Sequence, residues 1–161
     1  MVNSAGITRE QVWDWLQQVT DPEIPVLTIH DLGILRDVTV QDDGQVEVFI
    51  TPTYNGCPAM DMIAANIRIA LAEQGITQLK ITSVLAPAWT TDWMTEEGKK
   101  KLCDYGIAAP DKRFTIANDG VECPHCHSTH TKLLSEFGST ACKALYQCND
   151  CKEPFDYFKC H

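Results

Sequence analysis

Apolar positions recur along this chain in two periods. Val12, Trp15, Leu16 and Val19 stand at i, i+3, i+4 and i+7, the stripe of an amphipathic helix. Thr8 followed by Gln11 is a capping box that starts it, and Asp21-Pro22 is expected to end it. The period then drops to two. Residues 35–40 and 45–51 read as strands, with Val46, Val48 and Ile50 on one side and Glu47, Phe49 and Thr51 on the other. Asp43-Gly44 between them is a hairpin signal. Pro58 suits the first position of a second helix, whose stripe is Ile63, Ile67, Ala70 and Leu71 and which Gly75 closes. Leu79, Ile81, Ser83 and Leu85 alternate as a third strand. Residues 95–104 form a weaker helix with Lys99, Lys100 and Lys101 on a solvated face. The order describes an α+β layer, helices on one face of a short sheet.

Beyond this layer the pattern changes. Residues 105–111 carry turn formers and no sustained period, so a linker is expected over residues 106–120. It separates a domain of residues 1–110 from a β-rich module of residues 118–161. The module shows three short β segments, at residues 133–137, 144–147 and 155–159. Residues 1–117 hold all four Trp, two Cys and 16 acids against 9 bases; residues 118–161 hold six Cys, four His and no Trp. So small a module, poor in large apolar side chains, needs something besides a hydrophobic core to be stable.

Its cysteines suggest what that is. Cys123-Pro124-His125-Cys126 and Cys148-Asn149-Asp150-Cys151 are two Cys-x-x-Cys pairs with 21 residues between them. Each pair sits on one tight turn with both sulfurs able to face a single ion, and two such turns complete a tetrahedron of soft ligands. Cys123, Cys126, Cys148 and Cys151 are therefore read as a closed, structural metal site; two redox-active pairs are the competing reading. A four-thiolate site accepts zinc or iron, and the choice stays open. His125, His127 and His130 crowd the first pair as surface residues or as partners of the ligands.

Single residues in the first domain carry other chemistry. Cys57 lies at the cap of the helix that Pro58 begins. There the helix dipole and unpaired N–H groups favour a thiolate that could hold a metal or cluster transiently, or attack an electrophile. A small buried hydrophobe is the plainer alternative. Asp21, Glu23 and Asp31 could bind a hard cation or iron, although turn formation and surface exposure explain them more simply. Trp89 and Trp93 are core or contact residues, one of each being expected. Cys142 and Cys160 fall on the β segments and could approach one another; with Cys103 they are expected as buried thiols.

Composition bounds the rest. The chain of 161 residues is 44% apolar and 22% charged, as in a soluble globular protein. Its apolar runs are too short for a bilayer span, and the first residues lack a basic leader followed by an apolar stretch, so no membrane and a cytoplasmic location are expected. A formal charge of −9 disfavours nucleic acid.

Asp21-Pro22-Glu23, Asp31-Leu32-Gly33 and residues 53–58, Thr-Tyr-Asn-Gly-Cys-Pro, resemble the motifs of SufT-like iron–sulfur assembly factors. Residues 87–94 and 135–146 and the end of the chain, together with the four-Cys module, resemble the PaaD family, the D subunits associated with bacterial phenylacetyl-CoA epoxidase, in which the assembly domain is fused to a zinc ribbon. The resemblance runs from about residue 10 to the end. It implies an accessory, non-enzymatic role: helping to mature a multicomponent di-iron monooxygenase, which epoxidises the ring in phenylacetate catabolism and whose reductase carries flavin and a [2Fe–2S] cluster. It puts Cys57 on the family's functional cysteine and Asp21 and Glu23 on its acidic motif. It also implies structural zinc, a transient iron or Fe–S cargo, and the oxygenase or reductase subunits as partners. The chain itself has no Glu-x-x-His pairs of the sort that bind two irons in a helix bundle, no Rossmann glycine fingerprint and no plant-type ferredoxin spacing. A rubredoxin-like electron carrier with iron in the four-Cys site is the alternative, and a homodimer is left open.

Overall fold

The computed structural model describes residues 6–54, 56–110 and 120–158. They fall into two compact units, Met1–Thr95 and Glu96–His161.

The first unit begins with helix α1, Arg9–Leu16. Both bonds of its capping box form: Gln11 N donates to Thr8 Oγ1 at 3.2 Å, and Thr8 N donates to Gln11 Oε1 at 3.0 Å. Val12 and Leu16 are fully buried and Trp15 is half-buried. The helix stops at Leu16, well before Asp21-Pro22. The following loop pairs with itself: Ile29 N donates to Val19 O and Asp21 N to Leu27 O, both at 2.9 Å, and these bonds take the backbone out of the helix.

Strands β1 (Leu35–Val40) and β2 (Val46–Ile50) form the expected antiparallel hairpin. Helix α2, Ala59–Glu73, then crosses to β3, Leu79–Ser83, which lies parallel to β2. Ile63, Ile67 and Leu71 of α2 and Val38, Val46, Val48 and Ile50 of the sheet are buried, and α1 packs on α2 and β1. Complete burial of each such aliphatic side chain stabilises by roughly 1.5–3 kcal/mol.

A second layer of contacts joins the Asp31-Leu32-Gly33 turn to residues 89–95. The Trp89 indole is buried and donates to Leu32 O at 2.8 Å, while Trp93 is half-buried under the Arg36 guanidinium, 3.6 Å from the ring centroid. Both tryptophans thus have packing partners within the chain. Gly33 has φ +72, and a Cβ there would lie 2.5 Å from Trp93 O, so only glycine fits.

The second unit holds α3 (Glu96–Asp104) and a four-stranded sheet in the order β4-β7-β6-β5. Its strands are β4, Ile107–Ala108; β5, Thr131–Ser135; β6, Lys143–Cys148; and β7, Pro154–Phe158. The two residues of β4, at the start of the stretch read as a linker, are buried and pair with β7. Residues 111–119 of that stretch lie outside the described residues. The core is small: Ala108, Val121, Cys123, Cys148 and Phe155, with Tyr146, Cys151 and Tyr157 packed against it. No helix among the described residues is long and apolar enough to cross a membrane.

Candidate functional site

Cys123, Cys126, Cys148 and Cys151 converge, with all four Sγ atoms within 4.8 Å of one another. Two matching turns bring them there. His127 N donates to Cys123 O at 2.9 Å and Lys152 N to Cys148 O at 3.1 Å. Outside each turn, Cys123 N reaches Ser128 O and Cys148 N reaches Glu153 O. The residue after each second cysteine, His127 and Lys152, is left-handed at φ 62 and 67. Non-glycine residues rarely adopt that conformation, and the sequence carries no signal for it.

The Cys123–Cys151 and Cys126–Cys148 sulfurs are 3.7 and 3.5 Å apart. A tetrahedron with metal–sulfur bonds of about 2.3 Å has edges of about 3.8 Å, so four soft donors at this spacing fit a single ion. Backbone N–H groups, first that of Cys151 and then that of Asp150, together with the Cys126 and Cys151 thiols, pull the Cys148 thiol down to about 7. Burial pushes the Cys123 thiol up. The histidines stand outside this cluster. His127 pairs with Glu122 at 2.8 Å, His130 with Asp150 at 3.4 Å, and all of His125, His127 and His130 are exposed.

Cys57 is half-buried in the turn entering α2, whose cap residue is Pro58; the helix begins one residue later than the sequence suggests. Its electrostatics reverse the expectation of a depressed thiol. Burial is the largest influence and raises the pKa; the Ala59 N–H and the Tyr54 hydroxyl lower it by hydrogen bonding, and the Glu23 and Asp21 charges raise it again. The helix N-terminus acts as expected but is outweighed. Glu23 and Asp21 thus act on Cys57 through their charge, and Tyr54, to which the sequence assigns no role, is a hydrogen-bonding neighbour. Gly56 has φ +77 and nothing within 4 Å of where a Cβ would stand.

The carboxylates of this region also hold turns. Asp21 Oδ1 accepts from Glu23 N at 2.7 Å and Ile24 N at 3.0 Å, and Asp31 accepts from Thr28 N and the Thr95 hydroxyl. Of the remaining cysteines, Cys142 is buried with its sulfur 3.0 Å from Thr140 Oγ1, whereas Cys103 is exposed on α3, contrary to expectation. Cys160 lies outside the described residues, and no described cysteine is in a disulfide.

Known proteins match the chain in two separate stretches. Residues 9–84 match the family described as an iron–sulfur cluster assembly protein, and residues 108–159 match the PaaD zinc beta ribbon domain. In the crystal structure of a domain of unknown function, DUF59, from Bacillus anthracis, the fold recurs with TM-score 0.55 and 25% identity over 58% of this chain and 90% of that one. An Fe-S protein maturation auxiliary factor of Porphyromonas gingivalis is 38% identical over 59% of this chain and 90% of its own. The class is therefore an α+β assembly-type domain joined to a four-cysteine zinc ribbon. A protein of Escherichia coli (strain K12) named as the putative D component of 1,2-phenylacetyl-CoA epoxidase is 53% identical over 93% of this chain and 92% of its own. This chain belongs to that family of phenylacetyl-CoA epoxidase D components.

Proposed function

We propose that this chain is an accessory factor that helps mature the phenylacetyl-CoA epoxidase complex and performs no chemistry on the organic substrate. It assists the insertion of iron or an Fe–S cluster into an oxygenase or reductase subunit, acting in the cytoplasm. The observation that supports this reading is Cys57 itself, half-buried at the entrance of α2, hydrogen-bonded to the Ala59 N–H and Tyr54 and opposed by the charges of Glu23 and Asp21, within a domain of the iron–sulfur assembly family. A thiol held protonated by burial and nearby carboxylates does not keep a metal by itself. When iron arrives, the cation offsets the repulsion from Glu23 and Asp21 and the proton leaves Sγ. Loss of the ion reverses both changes, as suits a cargo that must be passed on.

In the second part, Cys123, Cys126, Cys148 and Cys151 hold zinc. Zinc supplies folding free energy rather than redox chemistry, and four thiolates leave it no open position for catalysis. The residues of that module serve to present a folded surface.

Anaerobic purification followed by assay of metal and acid-labile sulfide tests both halves. One zinc per chain, unaffected by Cys57→Ser, is expected, together with loss of maturation of the partner complex in cells carrying only that variant. Full epoxidase activity in those cells would remove Cys57 from the mechanism. Iron in the four-Cys site, with visible colour and a reversible couple, would make the chain an electron carrier instead.

A further inference from the structure

We propose that this chain pairs with a second copy of itself through the outer face of α2, the two helices lying parallel and in register. Ala59, Ile63, Ile67 and Leu71 turn one side of this helix into the core. On the opposite side Met62, Ala65, Ile69 and Ala72 make a second apolar stripe. All four are exposed, Met62 at 54% and Ile69 at 58%. Their spacing of three, four and three residues is the seam of a two-stranded coiled coil, with Met62 and Ile69 at one kind of position and the small Ala65 and Ala72 at the other. A surface helix ordinarily has one apolar stripe and a polar opposite face. A second stripe marks a contact surface.

The charges beside the stripe select the occupant. Arg68 borders it on one side and Glu73 on the other; both are exposed, and neither has an ion pair among the described residues. Five residues apart, they stand about 140° from each other around the helix and cannot meet on it, since pairs within one helix need a spacing of three or four. Five residues is instead the offset at which flanking charges meet across a parallel seam. In a parallel pair in register, Met62 meets Met62, Ile69 meets Ile69, and Arg68 of each copy meets Glu73 of the other. The twofold axis makes that ion pair twice. Asp61 and Asn66, also five apart, match in the same way, the amide donating to the carboxylate. A β-branched residue such as Ile69 at its position favours two parallel helices.

Other arrangements lose these matches. Antiparallel pairing that seats Met62 on Ala72 and Ile69 on Ala65 brings Arg68 beside Arg68. A parallel pair shifted by one heptad leaves half of the stripe uncovered on each copy. In register, the same patch serves both copies and the contact closes on itself. A groove between α1 and α2, lined by Trp15, Asn66, Ile69 and Glu73, borders the stripe. Arg68 of the second copy enters there, with the Trp15 ring and the Glu73 carboxylate to receive its guanidinium. Parallel pairing also sets both entrances of α2, each with its Cys57, at one end of the dimer. A helix of another protein could lie on the stripe, but it would not need Arg68 and Glu73 to be complementary to each other.

Sedimentation of the full chain, purified with its metal, tests this across a wide range of concentration. The wild-type chain should dimerise, and Ile69→Asp, which places a charge in the seam, should leave it monomeric. Arg68→Glu and Glu73→Arg should each weaken the dimer by about tenfold, since two attractive pairs become two repulsive ones. An equimolar mixture of these two variants should recover the dimer, because each supplies the charge the other has lost; so should the double swap. All three residues are exposed, and unchanged metal content and Trp emission would establish that each variant is folded. A wild-type chain that stays monomeric throughout overturns the proposal, as does a dimer that survives Ile69→Asp. A dimer indifferent to Glu73→Arg, as the antiparallel arrangement requires, or one unrescued by mixing, overturns it too. Binding of another protein's helix along α2 by a monomeric chain would have the same force.

Discussion

Cys57 is held between opposing influences: the Ala59 N–H and the Tyr54 hydroxyl favour the thiolate, while burial, Glu23 and Asp21 oppose it and prevail. Site-resolved alkylation therefore should still accelerate as pH rises beyond the range of an ordinary cysteine, since reaction follows the thiolate fraction. Glu23→Gln removes a negative charge, lowers the pKa and raises the thiolate fraction at any fixed pH below it. Alkylation at neutral pH should increase by about two- to threefold, given a partly solvated site. A rate that levels off below pH 8 in the wild type would contradict this account. The difference from the sequence reading has a physical cause. Pro58 and the helix stripe behind it make the cap position legible, but the desolvation of one sulfur depends on what packs around it. The four-cysteine cluster was legible because each Cys-x-x-Cys pair positions its own sulfurs locally. The left-handed His127 and Lys152 that close those turns were not, since neither residue type announces that conformation.

Among the elements, the Asp31-Leu32-Gly33 turn and residues 89–95 depend on each other. Leu32 O receives the Trp89 indole, Asp31 receives the Thr95 hydroxyl, and Gly33 lies directly against the backbone of Trp93. Gly33→Ala adds a Cβ 2.5 Å from Trp93 O at a residue with φ +72, so overlap and backbone strain act together. A loss of about 2–4 kcal/mol is expected. All four tryptophans belong to this part of the chain, so thermal unfolding followed by Trp emission reads the effect directly. An unchanged midpoint would mean the turn can move away without cost. Period alone located α1, α2 and the three strands of this unit. It misplaced the end of α1, because the self-pairing of residues 19–29 is a tertiary arrangement of Ile24, Leu27 and Ile29 around a turn held by Asp21. It also missed β4, as two residues cannot display a period.

At the scale of the whole molecule, two cores of different kinds share one chain. Residues such as Leu16, Val48, Ile63 and Leu71 fill the first, whereas the second places Cys123 and Cys148 at its centre beside Ala108, Val121 and Phe155. A structural zinc in a small domain contributes roughly 10–16 kcal/mol of apparent folding free energy at neutral pH, more than so few apolar side chains supply. Removing the metal with a strong chelator should therefore unfold β5, β6 and β7 and abolish the near-ultraviolet signal of the packed Tyr146 and Tyr157 rings, while Trp emission from the first unit stays native. Acid should act in the same direction, because thiolates must be deprotonated to hold the ion and protons compete for them as pH falls. Added zinc at neutral pH should restore the tyrosine signal. If that signal survived complete metal loss, the aromatic packing of Tyr146, Phe155 and Tyr157 would suffice to hold the sheet, and the four cysteines would need a role other than folding. If the tryptophans changed at the same chelator concentration, the first unit would also depend on the ion.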